Sequence, residues 1–301
     1  MDPVKLNKEY CTMKKWTYGI EAEMVDFNNK TPITGKYYIS SEVCSINSDG
    51  MACSWEYDYG GEVNTYPTDS IEEQEQIFKT FLEDNPTATV NYRSTLHTHV
   101  HVPGLIEDLD KLKQIFQYTL KWTPWIMQRV YILEPDPQFI LYDKGRVLWR
   151  FLNVGTVMPP KWRVKQIMEA KTVEEFFTNH MLSKAGKFTP LQSKRYAVNM
   201  VKLKQIETIE FRHFHGPENE KQVRTALEIS RDFLECALNN IPFDEVWNDK
   251  IKNWELPPPQ PLDVELEKKY HETKVKDLGR STPKYILNGN KVGGGSSKWL
   301  K

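Results

Sequence analysis

Two glutamates stand two residues apart in Gly19-Ile20-Glu21-Ala22-Glu23, inside a stretch that alternates like a strand. Trp16, Tyr18, Ile20, Ala22 and Met24 alternate with Thr17, Gly19, Glu21, Glu23 and Val25. A period of two makes the first set a core face and turns both carboxylates to the other side. Adjacent like charges on one face of a half-buried strand are unfavourable unless something positive lies over them, and a divalent cation is the usual solution.

Three further segments carry polar chemistry on one strand face. Leu96-His97-Thr98-His99-Val100-His101-Val102 puts three of the chain's seven histidines on one side, where imidazoles at i and i+2 can converge on an ion or an anionic ligand. Three imidazoles alone would suit zinc or iron, and a solvent-facing strand edge is the plainer alternative. In Ile209-Glu210-Phe211-Arg212, Glu210 and Arg212 share a face, either as a structural ion pair or as a carboxylate for a metal beside a guanidinium for phosphate. Upstream, Arg195 and Asn199 fall on one face, a second candidate phosphate contact and a polar positioning group. Finally, Gly60-Gly61-Glu62-Val63-Asn64-Thr65-Tyr66-Pro67 sets Glu62 and Asn64 on one side of a short strand.

Together these strands offer hard oxygen ligands from Glu21, Glu23, Glu62 and Glu210, one or two imidazoles, and arginines on the same side. Such a set suits magnesium or manganese better than structural zinc, and the arginines imply a phosphate-bearing substrate. Metal ions bridging nucleotide phosphates would make this ATP chemistry without a P-loop, since no G-x-x-x-x-G-K-[ST] occurs.

Composition removes some partners. Forty basic and 41 acidic residues give a net charge of -1, so nothing draws the whole chain to nucleic acid or an anionic membrane. The N-terminal segment lacks the apolar core of a signal peptide, and no apolar run approaches the roughly 18 residues of a membrane span, which places the protein in the cytoplasm. Cys11, Cys44, Cys53 and Cys236 have neither a C-x-x-C pair nor zinc-site spacing and read as reduced structural thiols.

Along the chain, residues 1–15 read as an extension, 16–254 as the catalytic domain, and 255–301 as a Pro-rich linker with a basic tail. Strand-like Lys36-Tyr37-Tyr38-Ile39 lies in a turn-rich stretch from Asn28 to Tyr59 that predicts hairpins. Ser70 with Glu73, and Thr172 with Glu175, fit capping boxes; the first opens a helix to about Glu83, and the second falls within a helical stretch, Trp162 to Met181. Thr87 to Val102 reads as a strand, and Leu105 to Arg129 as helical with a break before Pro124. Arg195 to Leu203 and Ile206 to His215 read as two strands joined by a polar turn, and Pro217 as the start of a helix to about Asn239. The tail from Lys274 to Lys301 holds seven basic residues against the single acid Asp277. Runs of strands and helices without βαβ alternation predict an α+β domain on a largely antiparallel sheet.

The order of motifs resembles a known pattern: a Glu-x-Glu strand, an Asp-Gly turn, a Glu strand ending at proline, a His-x-His strand, Arg-x-x-x-Asn, and Glu-Phe-Arg followed by glycine. It is similar to the amidoligase family of phages and bacteria, within the carboxylate–amine ligase superfamily of glutamine synthetase and glutamate–cysteine ligase. The similarity spans about Tyr18 to Gly216, and the order and strand phase of the motifs carry it rather than any one of them. It implies a glutamine-synthetase-like fold, a curved antiparallel sheet with helices on its outer side. It also implies an ATP- and magnesium-dependent enzyme that phosphorylates a carboxylate and lets an amine displace the phosphate.

By that resemblance Glu23 and Glu62 would hold one metal. Glu21, Glu210 and a histidine, His99 first and His101 second, would hold the other. Arg212 and Arg195 would contact phosphates, and Asp49 would orient or deprotonate the amine. Met51 stands where the family has serine, and His97, His213 and His215 are not needed by the pattern. Expected substrates are a small carboxylate and an amine, such as an amino acid, a polyamine or a modified nucleotide, in the host cytoplasm for a phage enzyme. Two other readings remain open at this point: a histidine-rich zinc or iron enzyme, and a non-catalytic structural or nucleic-acid-binding protein acting through the basic tail.

Overall fold

A computed structural model describes residues 15–25, 27, 35–40, 60–90, 94–131, 140–143, 146–149, 159, 161–181, 196–247, 285–287 and 290–292. Among the described residues eight strands precede the tail: β1 (Thr17–Val25), β2 (Tyr37–Ser40), β3 (Gly60–Thr65), β4 (Thr95–His101), β5 (Ile140–Asp143), β6 (Arg146–Trp149), β7 (Val198–Asn199) and β8 (Ile209–His215). Six of them form one sheet in the order β2-β3-β1-β4-β8-β7, antiparallel throughout. The helices are α1 (Ile71–Asp84), α2 (Leu109–Tyr131), α3 (Lys161–Glu169), α4 (Val173–Met181), α5 (Lys202–Ile206), α6 (Glu220–Asn239) and α7 (Phe243–Trp247). The domain is therefore α+β, as the pattern of elements predicts.

The core lies on the side of the sheet that the β1 alternation marks. Tyr18, Ile20, Ala22 and Met24 are buried with Leu96 and Val100 of β4 and Ile209, Phe211 and Phe214 of β8. Helices α1 and α6 supply the facing layer, α1 through Ile77, Phe78 and Phe81, and α6 through Val223, Ala226, Leu227, Phe233 and Leu234. Burying each such side chain stabilises the fold by about 1.5–3 kcal/mol. Thr98 reaches through this layer to Ser230 of α6, Oγ to Oγ at 2.6 Å. The buried amide of Gln74 ties α1 to the sheet, donating to the Tyr18 and Tyr66 carbonyls at 2.9 and 2.8 Å.

Local signals translate well. Ser70 Oγ accepts from the Glu73 amide at 3.2 Å at the start of α1. Thr172 and Glu175 close a reciprocal box, Thr172 Oγ1 taking the Glu175 amide at 3.1 Å while Glu175 Oε2 takes the Lys171 amide at 2.6 Å. That box starts α4 and splits the stretch into two helices.

Several boundaries differ from the sequence reading, among them the strand read from Ile206, which begins at Ile209 because Ile206 closes α5. Helix α2 runs through Pro124 without a break. The proline costs roughly 3 kcal/mol inside a helix, and packing by buried Trp122 and Ile126, with Trp125 edge-on to Phe243 at 5.7 Å, offsets it. The strand read from Thr87 begins only at Thr95, because Asn85 to Thr87 turn back after α1. In the segment read as a strand from Arg195 to Leu203, the described residues 196–203 do not pair along their length. Only Val198 and Asn199 pair with β8, and Lys202 already lies in α5. Helix α6 starts at Glu220, capped by Asn219, whose Oδ1 accepts from the Gln222 amide at 3.1 Å, so Pro217 precedes it.

Among the described residues no helix is long and apolar enough to cross a membrane. Within the basic tail, Tyr285–Leu287 (β9) and Asn290–Val292 (β10) pair antiparallel. Cys236 is buried and in no disulfide among the described residues; Cys11, Cys44 and Cys53 lie outside the described residues.

Candidate metal and anion site

The face of the sheet opposite the helices collects the acids and imidazoles, and strand register decides which of them meet. Glu23 stands directly across from Glu62, Glu21 across from Asn64 on one side and His97 on the other, and His99 across from Glu210. A register shift between Leu96 and Thr98 sets Arg212 and His213 opposite the single residue His97. Such a bulge re-aims side chains, and here it brings the Arg212 guanidinium over the site.

Glu21 is the hub. Its Oε1 lies 3.2 Å from His99 Nε2 and 3.6 Å from Lys202 Nζ, and its Oε2 lies 3.3 Å from His97 Nδ1. Glu210 accepts from Arg212 Nη1 at 2.8 Å and from Asn199 Nδ2 at 2.5 Å, with His97 Nδ1 at 3.6 Å. Burial alone would raise both acids. His99, Lys202 and His97 instead hold Glu21 well below the usual carboxylate range, and Arg212, Lys202 and His97 bring Glu210 to about 2.

Glu23 and Glu62 are compensated less, the first partly by Arg212 and the second partly by Lys202. Glu23 Oε2 accepts the Thr95 amide at 3.0 Å, and Glu62 Oε1 accepts Asn64 Nδ2 at 3.1 Å. Burial pushes Glu23 up to about 7, and burial with the charges of Glu21 and Glu23 pushes Glu62 up to about 8. At neutral pH Glu62 is therefore mostly protonated and Glu23 about half so, where the other half of the site holds negative charge.

Each imidazole has its own role. His99 Nδ1 contacts Thr208 Oγ1 at 3.0 Å, which turns Nε2 to Glu21. His101 Nδ1 lies 2.8 Å from the Glu207 carbonyl, which can only accept, so Nδ1 donates, and among the described residues the buried Nε2 has no hydrogen-bond partner. Glu207 itself holds a left-handed backbone, φ 58°, as the cap of α5. Burial and the Arg212 charge lower the His97 imidazole from its ordinary value, and the ring sits between Glu21, Glu210 and Arg212. The family pattern has no need of His97, yet it lies at the centre of the cluster.

One group among the described residues could hold a metal ion: Glu21, His99 and Glu210 offer ligand atoms all within 4.8 Å of one another. Ligands around a magnesium-sized ion lie about 3–4 Å apart, so a small closure would complete the set. The chain matches no protein-family model and no curated protein. The site must therefore be read from its own chemistry.

Of the residues read from sequence, Glu21, Glu23, Glu62, His99, Glu210 and Arg212 come together on this face, Asn199 joins through Glu210, and His101 stands at its end. Arg195 and Asp49 lie outside the described residues. His213 and His215 are buried neutral imidazoles, lowered by burial to about 3 and about 4. His180 packs between Phe116 and Phe176, ring centroids 5.1 and 4.8 Å away. Sequence reading missed Lys202. Its segment reads as strand, and Lys202 reaches the site only because the chain turns from β7 into α5 just before it.

The glycine after Glu-Phe-Arg has a packing reason. A Cβ on Gly216 would meet Ser94 Cβ at 2.4 Å and Val90 Cγ1 at 2.9 Å. Its amide donates to the Ser94 carbonyl at 2.8 Å, which fixes the end of β8 against the start of β4.

Proposed function

We propose that this protein is an ATP-dependent carboxylate–amine ligase of the glutamine-synthetase-like type, forming an amide through an acyl phosphate. The observation that carries the reading is one sheet face gathering Glu21, Glu23, Glu62 and Glu210 with the cations Arg212 and Lys202. Carboxylates in such number serve divalent cations, and guanidinium and ammonium groups beside them serve phosphate.

The donor set fits a hard divalent cation. Glu21, His99 and Glu210 would hold one ion, and Glu23 with Glu62 would hold a second by exchanging their protons for it. Bound magnesium would draw off the charge that builds on the phosphoryl oxygens. Arg212 would bind and orient the transferred phosphoryl group, with its guanidinium fixed by Glu210 and His97. Asn199 would keep Glu210 turned inward, and Arg195 would contact a further phosphate. The carboxylate oxygen attacks the terminal phosphorus and ADP leaves. The amine then attacks the acyl carbon, phosphate leaves, and Asp49 would take the proton that the amine gives up. Substrates of this class are a small carboxylic acid paired with an amino acid, a polyamine or a modified nucleotide.

A three-histidine zinc or iron centre finds less support, because His99 is the one histidine of the triplet in the group of residues able to share a metal ion. The reading is tested by incubating the protein with ATP, magnesium and a panel of amino acids and polyamines, and scoring ADP against blanks lacking each component. Acid- and amine-dependent ADP release is expected. ADP release no greater than in the blanks across the panel would contradict it.

A further inference from the structure

Lys202 belongs to none of the motifs that define the site, yet the fold delivers it there. It opens α5 directly after β7, and that junction is bolted to the site by Asn199, whose Oδ1 accepts the Val201 amide at 3.1 Å while its Nδ2 donates to Glu210. The Lys202 ammonium then lies 3.6 Å from Glu21 Oε1, with only 22% of its side chain exposed. Arg212 stands in the same relation to Glu210 Oε1 at 2.8 Å.

These two cations neutralise two of the three residues able to ligate a metal. Together they carry the charge of one divalent ion. A cation entering between Glu21, His99 and Glu210 would take over both carboxylates and repel the ammonium and guanidinium. Neither chain end has far to go, and lysine's flexible four-carbon stem gives its point charge a wide reach. The Lys202 Nζ contact at 3.6 Å is also looser than a charge-assisted hydrogen bond, which spans about 2.7–2.9 Å.

We propose that Lys202 is a phosphate-binding residue of this site, resting on Glu21 until a divalent cation claims that carboxylate. The cation and the anion are then bound in sequence by one exchange: the metal displaces lysine from Glu21, and the freed lysine takes a phosphate oxygen. The proposal rests on the ligase reading only in taking the anion to be a nucleotide phosphate.

The test compares the whole chain with Lys202→Met, which keeps the stem and removes the charge, and with Lys202→Arg, which keeps the charge. Two quantities are read: Mn2+ binding without nucleotide, from the free-ion electron paramagnetic resonance signal, and ATP binding at saturating Mn2+, by calorimetry. Lys202→Met should tighten Mn2+ by about threefold or more and weaken ATP by about tenfold or more. Lys202→Arg should keep ATP binding within about threefold of the parent. A merely structural ion pair predicts that Lys202→Met weakens both ligands together or changes neither, and either result overturns the proposal. If ATP is not bound by the parent chain, inorganic triphosphate at saturating Mn2+ replaces it. Opposite shifts with that probe support Lys202 as a phosphate site while the ligase reading falls, and absence of the shifts overturns the proposal.

Discussion

The two halves of the acidic face have the same residue type and opposite electrostatics. Glu21 and Glu210 are surrounded by His97, His99, Arg212 and Lys202, and stay ionised despite their burial. Glu23 and Glu62 face each other across β1 and β3, and among the described residues no lysine, arginine or histidine comes within ion-pair distance of either. Both are pushed toward their protonated forms. Alternation on one strand puts Glu21 and Glu23 side by side, but cross-strand neighbours give each its charge. The first half is balanced by its own cations; the second is balanced mainly by protons.

The largest effect should come from Glu210→Ala. Under the ligase reading it should lower ADP release by about a thousandfold or more, since both a metal ligand and the anchor of Arg212 are lost. Fold stability separates the halves next. Removing Glu210 strands a buried guanidinium and should cost about 3–5 kcal/mol in urea unfolding, whereas Glu23→Gln should change stability by less than about 1 kcal/mol at neutral pH. Relief of repulsion, which the acidic cluster leads one to expect from removing any of its carboxylates, applies only to the Glu23 and Glu62 half. Equal losses in the two variants would break the comparison.

A third expectation concerns pH in metal-free protein. Glu23 and Glu62 hold folded-state values of about 7 and about 8, above the ordinary 4.5. Their favourable share of stability is therefore complete below about pH 4.5 and is lost as the pH rises to about 8. The parent should lose up to a few kcal/mol relative to the Glu23→Gln, Glu62→Gln double variant between pH 5 and 9. Glu210 runs the other way: its share is present above 4.5 and is lost as the pH falls through about 2. A parent-minus-variant difference that stays flat with pH would mean the second half is compensated after all. The smallest effect is that of Glu62→Gln alone, within about 0.5 kcal/mol near pH 6, where the parent carboxyl is already protonated.

The sequence yields the site's inventory better than its wiring. Strand β1 is legible because every second residue is apolar and faces one core, and both capping boxes are legible because their hydrogen bonds span three residues. The histidine triplet is legible for the same period-two reason. Pro124 misleads because tertiary packing of Trp122, Trp125 and Ile126 overrides a local preference. Lys202 is missed because α5 spans a single turn and looks like strand continuation. The bulge opposite His97 and the Glu23–Glu62 register are pairings between distant segments, so no local pattern announces them.

On the proposed reading, this face binds divalent cations in two unlike halves. Mn2+ binding in the presence of ATP tests it most directly, in the parent, in Glu21→Gln, Glu210→Gln, and in Glu23→Gln, Glu62→Gln. Two equivalents in the parent and one fewer in each double variant is the predicted result. Binding in the parent no tighter than in the two double variants would contradict it.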